Sequence, residues 1–474
     1  MESSATAKKG SIVLYPSPGI GHLEPLLEFA KILVGRGFPV TIAMLDPSYI
    51  SGYAAAFIDR VAKAHPNILF HRLPAVTLPP LDNNEPLTFE LIRLSNANLH
   101  RYLASSSPIA VVLDFFCAAA LDVVTELGIP AFFFFTSCAG ALAAFIHLPV
   151  IDKATTESFQ NLGDTLIQFP CLPPIPASHM AVPLLDRRHD SYTGFINLAT
   201  RIIDGDGIIV NTFEALEPAA LVAIRSGLYL PEGVRTPPIY CVGPLIASED
   251  QERGARAECL SWLHSQPPAS VVFLSFGSLG LFSEEQLREI ANGLETSGQR
   301  FLWVVRNPPT KEESTIDEKQ REPNLHSLLP AGFLERTRRR GMVVKSWVPQ
   351  VSVLAHESVG GFVTHLGWNS VLEAICAGVP MVGWPLYAEQ RMTKVFLADG
   401  LGLVGVMEGY DKGLVLAAEV DARIRWLMES EGGSALRMET SVAKEAAAAA
   451  MKNSGSSQRA LEEFERALSI PRLQ

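Results

Sequence analysis

Two titratable side chains in the first half of the chain stand where acid–base chemistry is commonly placed. His22 ends the segment YPSPGIGH, which follows the apolar run 12–15 and opens a helical pattern. The positive end of a helix dipole favours the neutral imidazole, which is the form that accepts a proton. Asp114 ends the apolar run 109–113, at the sheet edge where open α/β folds place ligand residues. The alternatives are a capping or packing histidine and an aspartate that caps the following helix, so position alone assigns neither role.

A second polar group follows the apolar run 361–364, where the pattern changes from strand to helix. His365, Asn369 and Ser370 would lie at the helix N-terminus, where amide groups and short polar side chains bind a diphosphate. Gly367 would let the backbone come close to such a ligand. An anionic ligand must be held locally in this way, because the chain has a formal net charge of -11.

Three further residues flank this predicted diphosphate site. Ser278 ends a Gly-Ser turn after the apolar run 271–276 and is expected at the same crevice. Glu373 lies three residues after Ser370, so both side chains can face one side of the helix, although a helical glutamate is more often solvated. Trp347 follows a strand and offers a flat aromatic face for a uracil ring, the alternative being a core tryptophan.

The segment 347–390, WVPQVSVLAHESVGGFVTHLGWNSVLEAICAGVPMVGWPLYAEQ, resembles the signature box of plant UDP-glycosyltransferases in length, order and nearly every marked position. The sequence is identified as a member of that family, and the resemblance covers essentially the whole chain. It implies an α/β protein of the GT-B fold, with two facing Rossmann-like domains and parallel sheets. Leu366 stands where the family usually has Cys, and Thr393 where related chains often have Asn. These departures weaken the subfamily assignment more than the function.

The resemblance implies a role for each matching position on the donor side. Trp347 stacks on uracil, while the backbone of Val348 and the side chain of Gln350 read the base edge. Glu389 and Gln390 bind the sugar hydroxyls, and a terminal glutamine is found more often with glucose than with galactose. The residues expected at the phosphates and the ribose are Ser278, His365, Asn369, Ser370 and Glu373. The other residues expected to bind the UDP-sugar are Gly21, Thr136, Gly367 and Trp368.

The resemblance also makes His22 the catalytic base and Asp114 its partner, which orients the ring and stabilises the imidazolium. The implied reaction is a single inverting displacement: the acceptor oxygen attacks the anomeric carbon, UDP leaves, and an α-linked donor gives a β-glycoside. A pocket for aromatic acceptors needs apolar walls around few polar groups. The residues expected to line it are Ser17, Ile20, Phe115, Phe116, Leu185 and Tyr387.

A rival signal is the DGD sequence at 204–206, since DxD marks metal binding in the other large glycosyltransferase fold class. It precedes the apolar run 207–210 and is also a strong turn sequence. We favour the turn, because the helix N-terminus, with His365 and Ser278, supplies the positive field that a cation would otherwise give. No metal and no other cofactor are expected, and UDP-glucose is the expected donor substrate.

The expected function is transfer of a β-glucosyl group to a hydroxyl of a small hydrophobic plant metabolite, such as a flavonoid or another phenolic. A C-glycosyltransferase, in which the same base generates a phenolate and an aromatic carbon attacks, remains open. A non-catalytic binder of sugar nucleotides or small metabolites would not need both His22 and Asp114. A nicotinamide dehydrogenase is disfavoured, because Glu24 stands where the third glycine of a dinucleotide fingerprint is required.

Composition argues against several other classes of protein. A chain of 474 residues exceeds the usual size of one hydrophobic core, which predicts two domains. The negative net charge argues against a nucleic-acid groove, and six cysteines without a CxxC pair are typical of reduced core thiols. The apolar stretch 129–151 contains prolines and polar residues, so it predicts a strand and a core helix rather than a membrane span. With no secretion signal recognised, we expect a cytoplasmic monomer that binds only its donor and acceptor.

Two sheets must position these residues. Continuous apolar runs separated by helical patterns predict parallel strands that are buried on both faces. The predicted strands are 12–15, 40–45, 109–113, 131–135 and 207–210 in the first half, and 271–276, 300–305, 342–345, 361–364 and 380–383 in the second. The predicted domains are an acceptor-binding domain at 1–245, a UDP-sugar-binding domain at 246–455 and a C-terminal helix at 456–474 that packs back on the first domain. A linker is expected within 239–266, and the polar run 307–327 is expected to be a surface loop.

Overall fold

The buried apolar runs of the chain form two large parallel sheets. The computed structural model describes residues 9–45, 53–79, 84–247, 255–309 and 322–469. The chain divides into two compact units, one comprising Met1–Ser248 with Ala449–Gln474, and the other comprising Glu249–Ala448. Most of the predicted surface loop 307–327 and part of the predicted linker within 239–266 lie outside the described residues.

The sheet of the first unit is doubly wound. The strands of this unit are β1 (Ile12–Tyr15), β2 (Val40–Met44), β3 (Ile68–Arg72), β4 (Ala110–Asp114), β5 (Ala131–Phe135), β6 (Leu166–Ile167), β7 (Ile175–Pro176), β8 (Gly207–Val210) and β9 (Ile239–Cys241). Seven of them form a parallel sheet in the order β3-β2-β1-β4-β5-β8-β9, while β6 and β7 form a separate antiparallel pair. The order reverses between β1 and β4, which is where an open α/β sheet binds its ligands.

Helices connect the strands of the first unit. They are α1 (Ile20–Gly35), α2 (Tyr53–Ala64), α3 (Asn84–Ser106), α4 (Leu121–Glu126), α5 (Ala139–Ala154), α6 (Phe159–Leu162), α7 (Asp190–Arg201) and α8 (Pro218–Arg225), with 3₁₀ turns at Phe115–Ala120, Ala177–His179, Val182–Leu184 and Ile202–Asp204. The apolar stretch 129–151 forms β5 and most of α5, as predicted. Across the part of the chain that the structure describes, no helix combines the length and the apolar character that a membrane span requires.

The second unit repeats this architecture. Its strands are β10 (Val271–Ser275), β11 (Arg300–Val305), β12 (Gly341–Lys345), β13 (Val359–Thr364), β14 (Met381–Gly383) and β15 (Val404–Val406). They form a parallel sheet in the order β12-β11-β10-β13-β14-β15, which reverses between β10 and β13. The helices in this part of the chain are α9 (Ala255–His264), α10 (Glu284–Ser297), α11 (Leu325–Leu328), α12 (Phe333–Thr337), α13 (Gln350–Leu354), α14 (Trp368–Ala377), α15 (Gln390–Val395), α16 (Ala417–Glu429) and α17 (Glu431–Met451), with a π-helical turn at Phe396–Gly400.

The last described helix, α18 (Ser456–Leu468), belongs to the first unit. Leu461 and Phe464 on its apolar side are fully buried in the core of that unit. The ring centroid of Phe464 lies 4.9 Å from that of Phe132 in β5 and 5.7 Å from that of Phe29 in α1. Burial of each such side chain contributes about 1.5–3 kcal/mol, and this burial holds the helix on the sheet.

Candidate active site

His22 and Asp114 lie at the carboxyl ends of the two neighbouring strands where the first sheet reverses its order. β1 ends at Tyr15 and β4 at Asp114, and the strands pair in parallel with Tyr15 opposite Leu113. After β1 the chain turns through Gly19, whose φ of 123° lies in the region that favours glycine, and α1 begins at the next residue. His22 therefore lies in the first turn of α1.

The imidazole of His22 bonds to the carboxylate of Asp114. Nδ1 of His22 lies 2.9 Å from Oδ2 of Asp114. The other carboxylate oxygen accepts a hydrogen bond from the amide of Phe116 at 3.0 Å, so Asp114 also caps the 3₁₀ turn that follows β4. Asp114 is fully buried, and a buried carboxylate requires such donors. With the proton on Nδ1, the lone pair of the ring is on Nε2, the atom through which His22 can act as a base.

Phenylalanine rings pack beside His22. The ring centroids of Phe115 and Phe116 lie 5.7 Å and 5.1 Å from that of His22. Phe115 packs in turn against Phe135 in β5 and Phe145 in α5, at 4.8 Å and 5.7 Å. A base next to an aromatic wall can bind a flat apolar molecule and remove a proton from it.

The other predicted residues of the first unit lie near these strand ends or before α7. Ser17 is buried, and its hydroxyl oxygen has no hydrogen-bond partner among the residues that the structure describes. Ile20 and Gly21 belong to the first turn of α1, and the half-buried Thr136 directly follows β5. Leu185 is half-buried in the loop before α7, where its carbonyl oxygen accepts a hydrogen bond from an amide group at 3.0 Å.

The DGD turn lies at the opposite edge of the first sheet. The amide of Asp206 donates to the carbonyl of Ala131 at 2.7 Å, and its Oδ2 accepts from the amide of Ala131 at 2.7 Å. Asp206 therefore joins the amino ends of β5 and β8, whereas His22 and Asp114 lie at carboxyl ends. Among the described residues, no group of three or more His, Cys, Asp or Glu side chains is arranged to hold a metal ion.

In the second unit, His365 follows β13 where the strand order reverses. The ring of His365 is buried beside two glycines. A Cβ atom at Gly277 would lie 2.5 Å from Nε2 of His365, and a Cβ atom at Gly367 would lie 2.4 Å from it. Gly277 also has a φ of 72°, in the left-handed region. The imidazole therefore requires glycine at both positions, one in the turn after β10 and one at the N-cap of α14.

Burial lowers the pKa of His365 to about 4, so the ring is neutral at neutral pH. His365 therefore contributes a hydrogen-bond donor, rather than a full positive charge, to the predicted phosphate site. A neutral imidazole donates one N–H, and the N-terminus of α14 provides the positive potential. Arg306 adds a full charge nearby, since Nη1 donates to the carbonyl oxygen of Ser278 at 2.9 Å. The sequence pattern does not single out Arg306, although it directly follows β11 at the ligand-binding edge of the sheet.

A polar network connects α13 with α14. Nε2 of Gln350 donates to Oγ of Ser370 at 2.8 Å and to Oε2 of Glu373 at 2.7 Å. Ser370 and Glu373 therefore share one side of α14, as their spacing predicts. Trp347 lies three residues before Gln350 and is 40% exposed, although large aromatic side chains are usually well buried. The exposed ring of Trp347 can stack on an aromatic base, and the carboxylate of Glu373 can accept hydrogen bonds from sugar hydroxyls.

Comparisons with known proteins identify the family. Residues 228–407 match the family described as UDP-glucoronosyl and UDP-glucosyl transferase. Phloretin 2'-O-glucosyltransferase of Pyrus communis is 47% identical to this chain, over 96% of this chain and 98% of the relative. The chain belongs to the plant UDP-glycosyltransferases.

Solved structures share the fold of this UDP-glycosyltransferase. One is a UDP-glucosyltransferase from Polygonum tinctorium capable of glucosylating indoxyl, in a complex with 3,4-dichloroaniline; it is 39% identical, covers 98% of this chain and 100% of its own, and has a TM-score of 0.89. Another is Medicago truncatula UGT71G1 complexed with UDP-glucose, at 31% identity, 99% and 100% coverage and a TM-score of 0.84. With its two parallel-sheet units, the chain has the GT-B fold, as predicted.

The end of the signature segment of this UDP-glycosyltransferase forms a tight turn. Oε1 of Gln390 accepts hydrogen bonds from the amides of Leu386 and Tyr387, at 2.9 Å and 3.0 Å, and the side chain is buried. Tyr387 is predicted to bind the acceptor, and its ring packs beside that of His365, with the centroids 5.7 Å apart. Burial raises the pKa of Tyr387 to about 12. The hydroxyl of Tyr387 therefore stays protonated at neutral pH, and its role in acceptor binding stays a prediction.

Proposed function

We propose that this UDP-glycosyltransferase transfers glucose from UDP-glucose to a hydroxyl of a small phenolic metabolite, with inversion at the anomeric carbon. The observation that carries the proposal is the bond between His22 and the buried Asp114 beside an aromatic wall. In the reaction, Nε2 of His22 takes the acceptor proton as the acceptor oxygen forms a bond to the anomeric carbon. The bond from that carbon to the diphosphate breaks, and UDP leaves with its electron pair. Asp114 stabilises the imidazolium, which returns its proton to solvent after product release.

The donor contacts in this proposal come from the second unit. The exposed face of Trp347 stacks on uracil, and Glu373 accepts hydrogen bonds from ribose hydroxyls. The N-terminus of α14 binds the diphosphate together with the neutral N–H of His365, and it stabilises the negative charge that develops on the leaving UDP. Gln390 binds sugar hydroxyls from the turn that its own side chain stabilises. No step of this proposal requires a metal ion.

Several observations support a phenolic acceptor and separate binding domains for the acceptor and the UDP-sugar. A relative with 47% identity is named for phloretin, a phenol, and the wall beside His22 is aromatic. We infer that residues 1–245 bind the acceptor, that residues 246–455 bind the UDP-sugar and that the helix at 456–474 completes the first domain. None of the six cysteines, all of which the structure describes, forms a disulfide, which supports a reducing compartment such as the cytoplasm.

Incubation of the purified protein with UDP-glucose and a panel of flavonoids, simple phenols and aliphatic alcohols tests the proposal. Mass spectrometry detects the product, and acid hydrolysis distinguishes an O-glucoside, which releases glucose, from an acid-stable C-glucoside. In a separate competition assay, UDP-glucose is mixed with UDP-galactose or UDP-glucuronate at equal concentration. We expect glucose to be preferred, because the carboxylate of Glu389 repels that of glucuronate. A preference for glucuronate, or an acid-stable product, would contradict the proposal.

A further inference from the structure

Gly194 lies in the middle of α7 and packs against Phe89 of α3. A Cβ atom at Gly194 would lie 2.4 Å from Cε2 and 2.7 Å from Cδ2 of Phe89, which is far inside van der Waals contact. The backbone of Gly194 is helical and has no positive φ, so its conformation does not require glycine. A glycine inside a helix is destabilising relative to alanine. The reason for glycine at this position is therefore space: the methyl group of an alanine would clash with the ring of Phe89.

The ring of Phe89 is part of a continuous series of contacts that ends at His22. Phe89 stacks on Phe116, with the centroids 5.7 Å apart and an interplanar angle of 27°. Phe116 meets the ring of His22 edge to face, at 5.1 Å. Phe195, next to Gly194 in α7, packs against both Phe89 and Phe116, at 5.6 Å and 5.4 Å. Close-packed rings cannot overlap, so a displacement of Phe89 is transmitted to Phe116.

We propose that Gly194 is a specificity-determining residue, which fixes the position of Phe89 and Phe116 and so sets the size of the acceptor that fits beside His22. This inference rests on the proposed function, in which the acceptor is bound at His22. The three atoms nearest to a Cβ at Gly194 all belong to the ring of Phe89, so the effect of this position is exerted through Phe89 and Phe116. A larger side chain at this position narrows the acceptor site, while the donor-binding residues of the second unit are unaffected.

The test compares two acceptors of different size in the variant Gly194→Ala. We expect the kcat/KM for phloretin to fall about tenfold relative to that for a single-ring phenol, since one misplaced methyl group in an apolar pocket changes discrimination about 10- to 200-fold. The KM for UDP-glucose should change less than about twofold. Thr193→Ala, an exposed neighbour on the same helix, is the matched control and should leave the acceptor ratio unchanged.

A second variant shows whether the effect passes through Phe89. In the Phe89→Leu background the smaller side chain leaves room for the methyl group, so adding Gly194→Ala should no longer change the acceptor ratio. The inference is overturned if Gly194→Ala keeps the wild-type ratio of kcat/KM values for the two acceptors. It is also overturned if Gly194→Ala shifts that ratio equally in the wild-type and Phe89→Leu backgrounds. Calorimetric binding of phloretin and phenol in the presence of UDP gives the same comparison without turnover. If the wild type binds both acceptors but transfers glucose to neither, the proposed function fails. The ratio of the two acceptor affinities, compared between the wild type and Gly194→Ala, still decides this inference.

Discussion

Nδ1 of His22 lies 2.9 Å from Oδ2 of Asp114, a carboxylate that is fully buried and also accepts the amide of Phe116. From its position in the sequence, Asp114 could either cap the following turn or pair with the histidine. These two contacts show that it does both. The cap holds the carboxylate in place, and the carboxylate holds the ring with Nε2 as the basic atom. The geometry is that of a base with an orienting partner.

Replacing Asp114 with asparagine should lower kcat strongly while leaving UDP affinity unchanged. An amide cannot stabilise the imidazolium, and its NH₂ group favours the wrong tautomer, so we expect a loss of about 10² to 10⁴ in rate. The matched control is Asp122→Asn, whose carboxylate is 73% exposed in an ion pair with Arg201. Steady-state kinetics measure the effect. A rate for Asp114→Asn within a few-fold of that of Asp122→Asn would contradict the assigned partnership.

Trp347→Ala should weaken UDP binding more than it affects proton removal by His22. Stacking of a base on an aromatic ring is worth about 1–3 kcal/mol, so we expect the Kd for UDP to rise about tenfold or more. Met438→Ala removes another exposed apolar side chain of the second unit and serves as control, since Met438 is 68% exposed on α17. Calorimetry measures both. An unchanged Kd in Trp347→Ala would show that uracil binds elsewhere.

The depressed pKa of His365 predicts a loss of stability in acid. The ring has a folded pKa of about 4 against an ordinary value of 6.5, so the unfolded chain binds a proton that the folded chain does not. The stability that this ring contributes is complete above pH 6.5 and is lost as the pH falls towards about 4. Between pH 7 and pH 4.5, the wild type should lose about 2–3 kcal/mol more than His365→Asn. Denaturant titrations without UDP measure the difference, and equal losses would mean that the folded ring titrates normally.

The DGD turn should prove structural. Asp204 is exposed, so Asp204→Ala should leave turnover nearly intact, and activity should survive a chelator. Asp206→Ala removes the acceptor of the Ala131 amide and should lower the free energy of unfolding by about 1–3 kcal/mol, with little effect on the activity of the folded protein. Chelator treatment that abolished activity, with recovery on addition of manganese, would favour the metal-binding alternative.

Much of the fold could be predicted because its central strands are uninterrupted apolar runs. β1, β4 and β5 are of this kind, and their carboxyl ends locate the candidate acid–base residues. β3, with the sequence ILFHR, has only three apolar residues before His71 and Arg72, and Leu69 in it is 65% exposed. β15 is three residues long, with the sequence VGV. Such short or half-exposed strands at sheet edges give too weak a pattern to be recognised.

The details of the site depend on contacts between segments that are distant in sequence. Gly277 and Gly367 both contact His365, and this packing, which depresses the pKa of His365, cannot be read from either glycine alone. The charge of Arg306 and the position of Tyr387 beside His365 likewise depend on how loops at neighbouring strand ends pack. Residue types at strand ends thus predict which side chains take part, whereas protonation states follow from burial in three dimensions.

The rate of glucose transfer by His22→Ala, measured together with the Kd for UDP, decides whether His22 is the catalytic base. We expect the rate of transfer to an aliphatic alcohol to fall by about 10² to 10⁴. The rate with an acidic phenol should fall less, because the phenol is already partly ionised, and UDP binding should persist. Combining His22→Ala with Asp114→Ala should lower the rate little further, since the pair acts as one unit. Circular dichroism confirms that the variant is folded. Wild-type rates on both acceptors in a folded His22→Ala protein would contradict the assignment of His22 as the base.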